Sequence, residues 1–320
     1  MPKLNTNTFK TLDDLLTAVY QDLMERPSSI PTTRSKKGGD TCEIIGVSLT
    51  LANPRARLSR SEVKGKAFSP VGELLWYLSG SNTLEFIQPY ISHYKDETDD
   101  GNTIYGAYGP RLLNMHNKYN QVNNIIKLLG QKPTSRRAVI QLFDASDLVG
   151  THKEIPCTCT LQFLLRDNQL NLHVSMRSND AYMGLPHDVF AFTMLQEIMA
   201  NILGVDMGAY HHSVGSLHLY DNDRNLVEQY LYEGYQPTKF YMPAMPKVDP
   251  RPAIKQIIKL EELIRTDQSF CLDGLDPYWV DIIKMVHIHF LSKKKDITGI
   301  RNVMAGMNDI YKMYIEKKIC

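Results

Sequence analysis

Hydrophobic positions recur along this chain in two periods, and the switches between the periods mark out its elements. Residues 11–25 repeat at helical spacing: Leu12, Leu15, Leu16, Val19, Tyr20 and Leu23 share one face, Thr11 stands where an N-cap belongs, and Pro27 follows the end. The run 42–51 (CEIIGVSLTL) reads as a strand closed by Asn53-Pro54. Ser69 and Pro70 suit the cap and first position of a second helix, PVGELLWYLSG, with Glu73 in its first turn beside Leu74, Leu75, Trp76 and Leu78. A helical segment is expected near 84–94, a helix over 121–129 with Gly130 as its cap, and a strand over 134–143. Strict alternation follows: Leu161, Phe163 and Leu165, then Leu170, Leu172, Val174 and Met176, with Asp167-Asn168 between them as a hairpin turn. From Asp188 to Leu203 apolar residues cover most of a helix, which predicts burial against a sheet. Residues 207–223 alternate as a strand, and a Pro-rich linker (242–252) precedes helical patterns near 253–265, 277–292 and 298–316.

Composition narrows the class. A chain of 320 residues is long for one domain, yet single α/β or α+β domains of this size are common. With 43% apolar and 22% charged residues a sizeable core is within reach. A net charge of +1 argues against a general nucleic-acid or membrane-surface binder, so an anionic ligand needs a local cluster of cations. Five cysteines (Cys42, Cys157, Cys159, Cys271, Cys320), odd in number and scattered, fit a reducing compartment. MPKLNTNTFK lacks an apolar signal core and no apolar run is long enough to span a bilayer, so a cytoplasmic location is expected.

Candidate chemistry concentrates between Ile155 and Asp188. A cysteine stands at the entry to the hairpin, Arg177 at its exit, and Asp180 and Asp188 follow, so nucleophile, cation and carboxylates gather around one small sheet. Arg136 and Arg137 are adjacent; on a strand they point to opposite faces, which predicts an anion or a subunit contact for one of them. The loop 26–41 carries Arg34, Lys36 and Lys37 without the spacing of a nucleotide P-loop; a solvated loop and phosphate capture by Arg34 both fit it. Glu73 likewise has two readings, a surface acid complementing a helix dipole or a carboxylate whose pKa rises at the edge of a buried helix. His211, His212 and His218 come with neither an HExxH motif nor paired cysteines, so no metal is expected. The run Lys293 to Lys295 reads as a solvated corner.

Six blocks, GELLWYLSG (72–80), YGAYG (105–109), TSRR (134–137), PCTCTLQF (156–163), RSNDAYMGLPHDV (177–189) and GSLHLY (215–220), resemble the thymidylate synthase family in order and approximate spacing. They cover most of residues 66–223; 250–320 carries no motif of the family. The resemblance implies an α+β, three-layer fold with a large mixed sheet flanked by helices, and a sheet-to-sheet homodimer. One catalytic domain over 1–320 is expected, with 250–320 as a helical C-terminal extension. It also implies an enzyme: a cysteine thiolate, Cys157 by match, adds to C6 of a pyrimidine nucleotide, and C5 then takes a one-carbon unit from the co-substrate 5,10-methylenetetrahydrofolate. By the same match Glu73 organises water and proton transfers, Arg34, Arg177 and Ser178 bind the phosphate with Arg136 and Arg137 from the partner subunit, and His218 and Tyr220 hold the sugar. Tyr105 is a further nucleotide contact and Asp180 a folate contact. Strand alternation places Cys159 on the same face as Cys157, so only the motif separates the two.

Departures from the family's pattern set the expected reaction. Synthases carry Pro-Phe-Asn where this chain has Pro-His-Asp, ending at Asp188. An amide suits uracil; a carboxyl accepts from the amino group of cytosine and, when protonated, donates to its N3. Mispairing a buried edge costs about 1–3 kcal/mol per group, roughly tenfold or more in preference. The Asn-to-Asp change resembles the deoxycytidylate hydroxymethylases of the family. Tryptophans usual after the Glu73 helix are replaced by IQPYISHYKDE, which admits water to the methylene intermediate and favours hydroxymethyl over methyl. Thr158 replaces the histidine that usually follows the catalytic cysteine, Met176 replaces the glutamine before Arg177, and the tail ends EKKIC. The expectation is therefore a hydroxymethyltransferase for dCMP or CMP, with a thymidylate synthase methylating dUMP and a non-catalytic nucleotide- or RNA-binding relative as alternatives. Neither membrane nor nucleic acid is expected among its partners.

Overall fold

The computed structural model of the chain describes residues 7–31, 39–65 and 67–319. Arg34, Lys36, Lys37 and Cys320 lie outside the described residues. Among those described, six strands form one mixed sheet: β1 (Asn7–Phe9), β2 (Thr41–Leu51), β3 (Val139–Gln141), β4 (Thr158–Arg166), β5 (Gln169–Asp180) and β6 (Asp206–Tyr220). The spatial order is β1-β2-β6-β5-β4-β3. The β1–β2 and β5–β6 pairs are parallel and the others antiparallel. Asp167 and Asn168 join β4 to β5 with φ of 48° and 58°, the left-handed pair that a tight hairpin turn requires.

Helices cover the sheet. α1 (Leu12–Met24) begins with the expected Thr11, whose hydroxyl accepts from Asp14 N while the Asp14 carboxylate accepts from Thr11 N. α2 (Phe68–Ser79) is followed by the single turn α3 (Leu84–Ile87), then α4 (Tyr108–Leu113) and α5 (Gln121–Gln131). α6 (Gly184–Leu203) runs between the sheet and α2, buried on nearly every side, as its lack of a polar face requires. α7 (Arg224–Tyr232) follows β6; α8 (Arg251–Arg265), α9 (Pro277–Lys293), α10 (Ile297–Met304) and α11 (Asp309–Glu316) end the chain. α8 and α9 pack on α2, and Ile257, Trp279, Ile282 and Tyr311 belong to the same apolar cluster as the sheet. No described helix is long and apolar enough to cross a membrane.

Several elements differ from their expected form, each for a local reason. α2 starts at Phe68 with Ala67 as a bare cap, so Ser69 lies inside its first turn and its hydroxyl is used elsewhere. The segment near 84–94 breaks into α3 and a 3₁₀ turn at 92–96, with Pro89 lacking an N–H between them. α5 passes through Gly130 and closes with Lys132 N on Leu128 O. The strand expected over 134–143 is ordered only as β3, and Arg136 and Arg137 both lie exposed before it, so the opposite-face argument does not apply. α6 begins at Gly184, four residues early, because Pro186 sits in a first turn whose N–H groups have no partner to lose. The 298–316 pattern divides at Gly306, which adopts φ 74°.

The sheet bends at one level. On β5 the buried positions run Leu170 to Met176 in steps of two and resume at Asn179; on β6 they run Gly208 to Val214 and resume at Leu217. Arg177 and Gly215 lie side by side at this change of phase, and Gly46 of β2, with φ 68°, faces Gly215. A Cβ on Gly215 would stand 2.9 Å from the Arg177 carbonyl oxygen, so only glycine permits the strands to approach there. β4 shifts register at the same level, between Thr158 and Thr160. Beyond the bend the strand ends turn from core to cleft.

A candidate active site at the bend of the sheet

A cleft of about 600 Å³ opens where the bent ends of β2, β5 and β6 meet α2 and α6. That size suits a nucleotide with part of a second ligand. Glu73, Cys157, Arg177, Ser178, Asp180, Asp188, His218 and Tyr220 all line it. Their convergence depends on the bend, since an unbroken alternation would send half of the strand residues to the far face.

Cys157 precedes β4, and its carbonyl accepts from Arg177 N at 2.9 Å. The Arg177 guanidinium is anchored by the Pro156 and Ile155 carbonyls, at 2.9 and 3.2 Å, and places Nη2 3.6 Å from Cys157 Sγ. A fixed cation at that distance favours a thiolate. Cys159 is separated from it by the register shift of β4: it does not line the cleft, and burial pushes its thiol up. Tyr108, on α4, braces the entry, its hydroxyl accepting from Thr158 N at 3.1 Å.

Glu73 is buried within α2 and each of its two oxygens has a partner. Oε1 accepts from the hydroxyls of Tyr77 and Tyr94 at 3.0 and 3.3 Å, and Oε2 lies 2.9 Å from His187 Nδ1. The other nitrogen of His187 lies 3.2 Å from Ser69 Oγ. Burial alone would push the Glu73 carboxyl up, but the His187 hydrogen bond and charge, with the two tyrosines, hold it below the ordinary value. Of the two readings of Glu73, the surface acid in a first turn is overturned by its burial in a helix that starts at Phe68, and the raised pKa is reversed by partners that sequence spacing does not disclose.

Asp188 neighbours His187 on α6, and consecutive helical residues point about 100° apart. His187 therefore meets α2, while Asp188 meets β5, where Asn179 Nδ2 donates to its Oδ2 at 2.7 Å. Burial, then the nearby Glu73 charge, push the Asp188 carboxyl well up, against the opposing Asn179 hydrogen bond. Two carboxyls of one cleft are driven in opposite directions, the arrangement that keeps one ionised and one protonated.

Among the other expected residues, His218 and Tyr220 stand together at the β2 side, rings 5.1 Å apart and perpendicular, with Glu43 accepting from Ser216 beside them. Asp180 Oδ1 accepts from Tyr182 N and Met183 N, which shapes the turn into α6. Tyr105 does not line the cleft; it lies flat on His152, centroids 3.4 Å apart, and Tyr108 takes the inward place. Arg136 and Arg137 do not line the cleft either. His187, Asn179, Tyr94 and Tyr108 escaped the sequence reading, although the Pro-His-Asp departure pointed at the first. His212 binds Asn179 Oδ1, at 2.9 Å, and among the described residues no cluster suited to a metal is present.

The thymidylate synthase family model matches residues 19–257, well over half of the chain. The mixed six-strand sheet with its flanking helices is consistent with that match. The chain belongs to the thymidylate synthase family, one-carbon transferases that act on pyrimidine nucleotides with methylenetetrahydrofolate.

Proposed function

We propose that this protein is a C5-hydroxymethyltransferase that converts dCMP or CMP, methylenetetrahydrofolate and water into the 5-hydroxymethyl nucleotide and tetrahydrofolate. The observation that carries it is the Asp188 carboxyl, pushed up by burial in the cleft beside Cys157. A neutral acid offers one acceptor and one donor, which matches the N4 amino group and N3 of cytosine when the unprotonated oxygen faces N4; uracil needs the opposite assignment of the proton.

In this reading the Cys157 thiolate, stabilised by Arg177, adds to C6, and the electron density at C5 attacks the folate methylene. Glu73, held ionised, directs a water that removes the C5 proton. Tetrahydrofolate departs, leaving an exocyclic methylene. Water adds to that methylene and gives up a proton to solvent, replacing the one that N5 of the departing folate takes up, and the Cys157–C6 bond breaks, restoring the thiolate and the aromatic ring. No hydride moves, so the folate leaves as tetrahydrofolate. Capture by water is supported by the polar groups His93, Tyr94 and Lys153, which share the cleft wall with the apolar Trp76 and Ile91.

Ser178, Arg177 and Arg34 bind the phosphate; Arg136 and Arg137, exposed and outside their own cleft, reach the phosphate of a second copy across paired sheets. The half-exposed polar face formed by Ser48, Thr50, His173, His211 and Ser213 supports such pairing. His218 and Tyr220 hold the sugar, and Asp180 contacts the folate.

Incubation with dUMP, dCMP and CMP, followed by product mass, tests the assignment. Hydroxymethylated cytidylate is expected, and thymidylate from dUMP would overturn it. Cys157→Ala is expected to lose exchange of the C5 proton with solvent by roughly a thousandfold or more, as removal of a nucleophile does. Exchange in neither protein would instead indicate a binding relative without catalysis.

A further inference from the structure

Asp188 has two oxygens, and the network behind it decides what each can present. Oδ2 lies 2.7 Å from Asn179 Nδ2, Asn179 Oδ1 lies 2.9 Å from His212 Nε2, and His212 Nδ1 lies 2.8 Å from the Tyr210 hydroxyl. Tyr210, His212 and Asn179 are buried. Such a chain has two self-consistent polarities. In the first, Tyr210 O–H donates to Nδ1, Nε2–H donates to the Asn179 carbonyl, and the Asn179 amide donates to Asp188. In the second every direction reverses and the Tyr210 proton loses His212 as its acceptor, with no other among the described residues. A buried hydroxyl proton without an acceptor is a penalty that the first polarity avoids. Burial also keeps His212 neutral, its pKa pushed down to about 3, and keeps the Tyr210 hydroxyl protonated, so exactly one ring nitrogen must accept.

We propose that Asn179, oriented by Tyr210 and His212, is a positioning residue that makes Asp188 Oδ2 a permanent acceptor and leaves Oδ1 to carry the carboxyl proton. The acid then meets a pyrimidine edge in one order, acceptor and donor, instead of two interchangeable ones. This rests on the hydroxymethylase reading for the base that profits, an amino-pyrimidine, but the direction of the relay stands apart from it.

Two measurements test the proposal. Histidine ¹⁵N NMR of the intact protein, with His212 assigned through His212→Gln, is expected to give a neutral Nε2–H tautomer. An Nδ1–H tautomer reverses the relay and overturns the proposal. Separately, Asn179→Leu is expected to lower kcat/KM for dCMP relative to dUMP by roughly tenfold, chiefly through the KM for dCMP. His212→Gln returns a donor to the Nε2 position and is expected to keep that ratio within about threefold of the parent. An unchanged ratio in Asn179→Leu defeats the specificity role. Should the parent protein methylate dUMP, the hydroxymethylase reading fails, while the tautomer still decides the relay.

Discussion

Asp188 and Glu73 carry opposite obligations within one cleft, and their titration is the most accessible consequence. Asp188 has a folded pKa above its unfolded 3.8, so stability tied to its proton is full below that value and is lost as pH rises through the folded pKa. Glu73 has a folded pKa below its unfolded 4.5, so its contribution is present above 4.5 and is lost as pH falls through the lowered value. Catalysis that needs Glu73 ionised and Asp188 protonated gives a bell-shaped profile of kcat/KM, its acid limb from Glu73 and its alkaline limb from Asp188. Asp188→Asn is expected to abolish the alkaline limb, move preference toward dUMP by roughly tenfold or more, and raise the melting temperature at neutral pH. Steady-state kinetics across pH and a thermal melt check all three; a surviving alkaline limb assigns it to another group. At this scale the motifs singled out Cys157, Glu73 and Asp188, each a chemical type at a recognisable place, and all three line one cleft. The pKa directions were hidden, because His187, Tyr94 and Asn179 act on them from other elements.

Between elements, the decisive feature is the shared bend at Gly46, Gly215 and Arg177. Gly215→Ala places a Cβ 2.9 Å from a backbone oxygen that cannot rotate away, so β5 must shift at Arg177. The expected cost is about 1–3 kcal/mol of stability, with a larger fractional loss of activity than of folded protein, since Arg177 anchors against Cys157. Chemical denaturation beside kcat separates the two effects. Elements with a strong period, α1 and the β4–β5 hairpin, were legible because local capping and turn chemistry agree with their packing. β1 and α7 were not, and only the middle of the strand expected over 134–143 formed, as β3: a three-residue strand exists only through its neighbour, and α7 is a short helix with only Val227 and Tyr230 buried.

For the whole molecule, the proposed assembly makes a prediction that one subunit cannot satisfy. If Arg136 and Arg137 serve the partner's phosphate, Cys157→Ala and Arg137→Ala are each deficient as homodimers. Mixed dimers then regain one complete site, made of the cysteine of one subunit and the arginine of the other. Recovered activity on mixing after dissociation is the expected outcome; additive residual activities would place Arg137 outside the site. Helices of 251–316 pack on α2 and bury Trp279 and Ile282 in the same core as the sheet, although the family match ends at residue 257.

The amino-acid order alone determined that this chain has an apolar hairpin, a fully buried helix and a cysteine, an arginine and two carboxyls at their junction, since periodicity and residue type are properties of neighbours along the chain. Why Cys157 and not Cys159 lines the cleft, and which carboxyl is pushed up and which down, were decided only in three dimensions. Those outcomes depend on a register shift in β4, on a sheet that bends at a glycine, and on desolvation by residues far away in sequence.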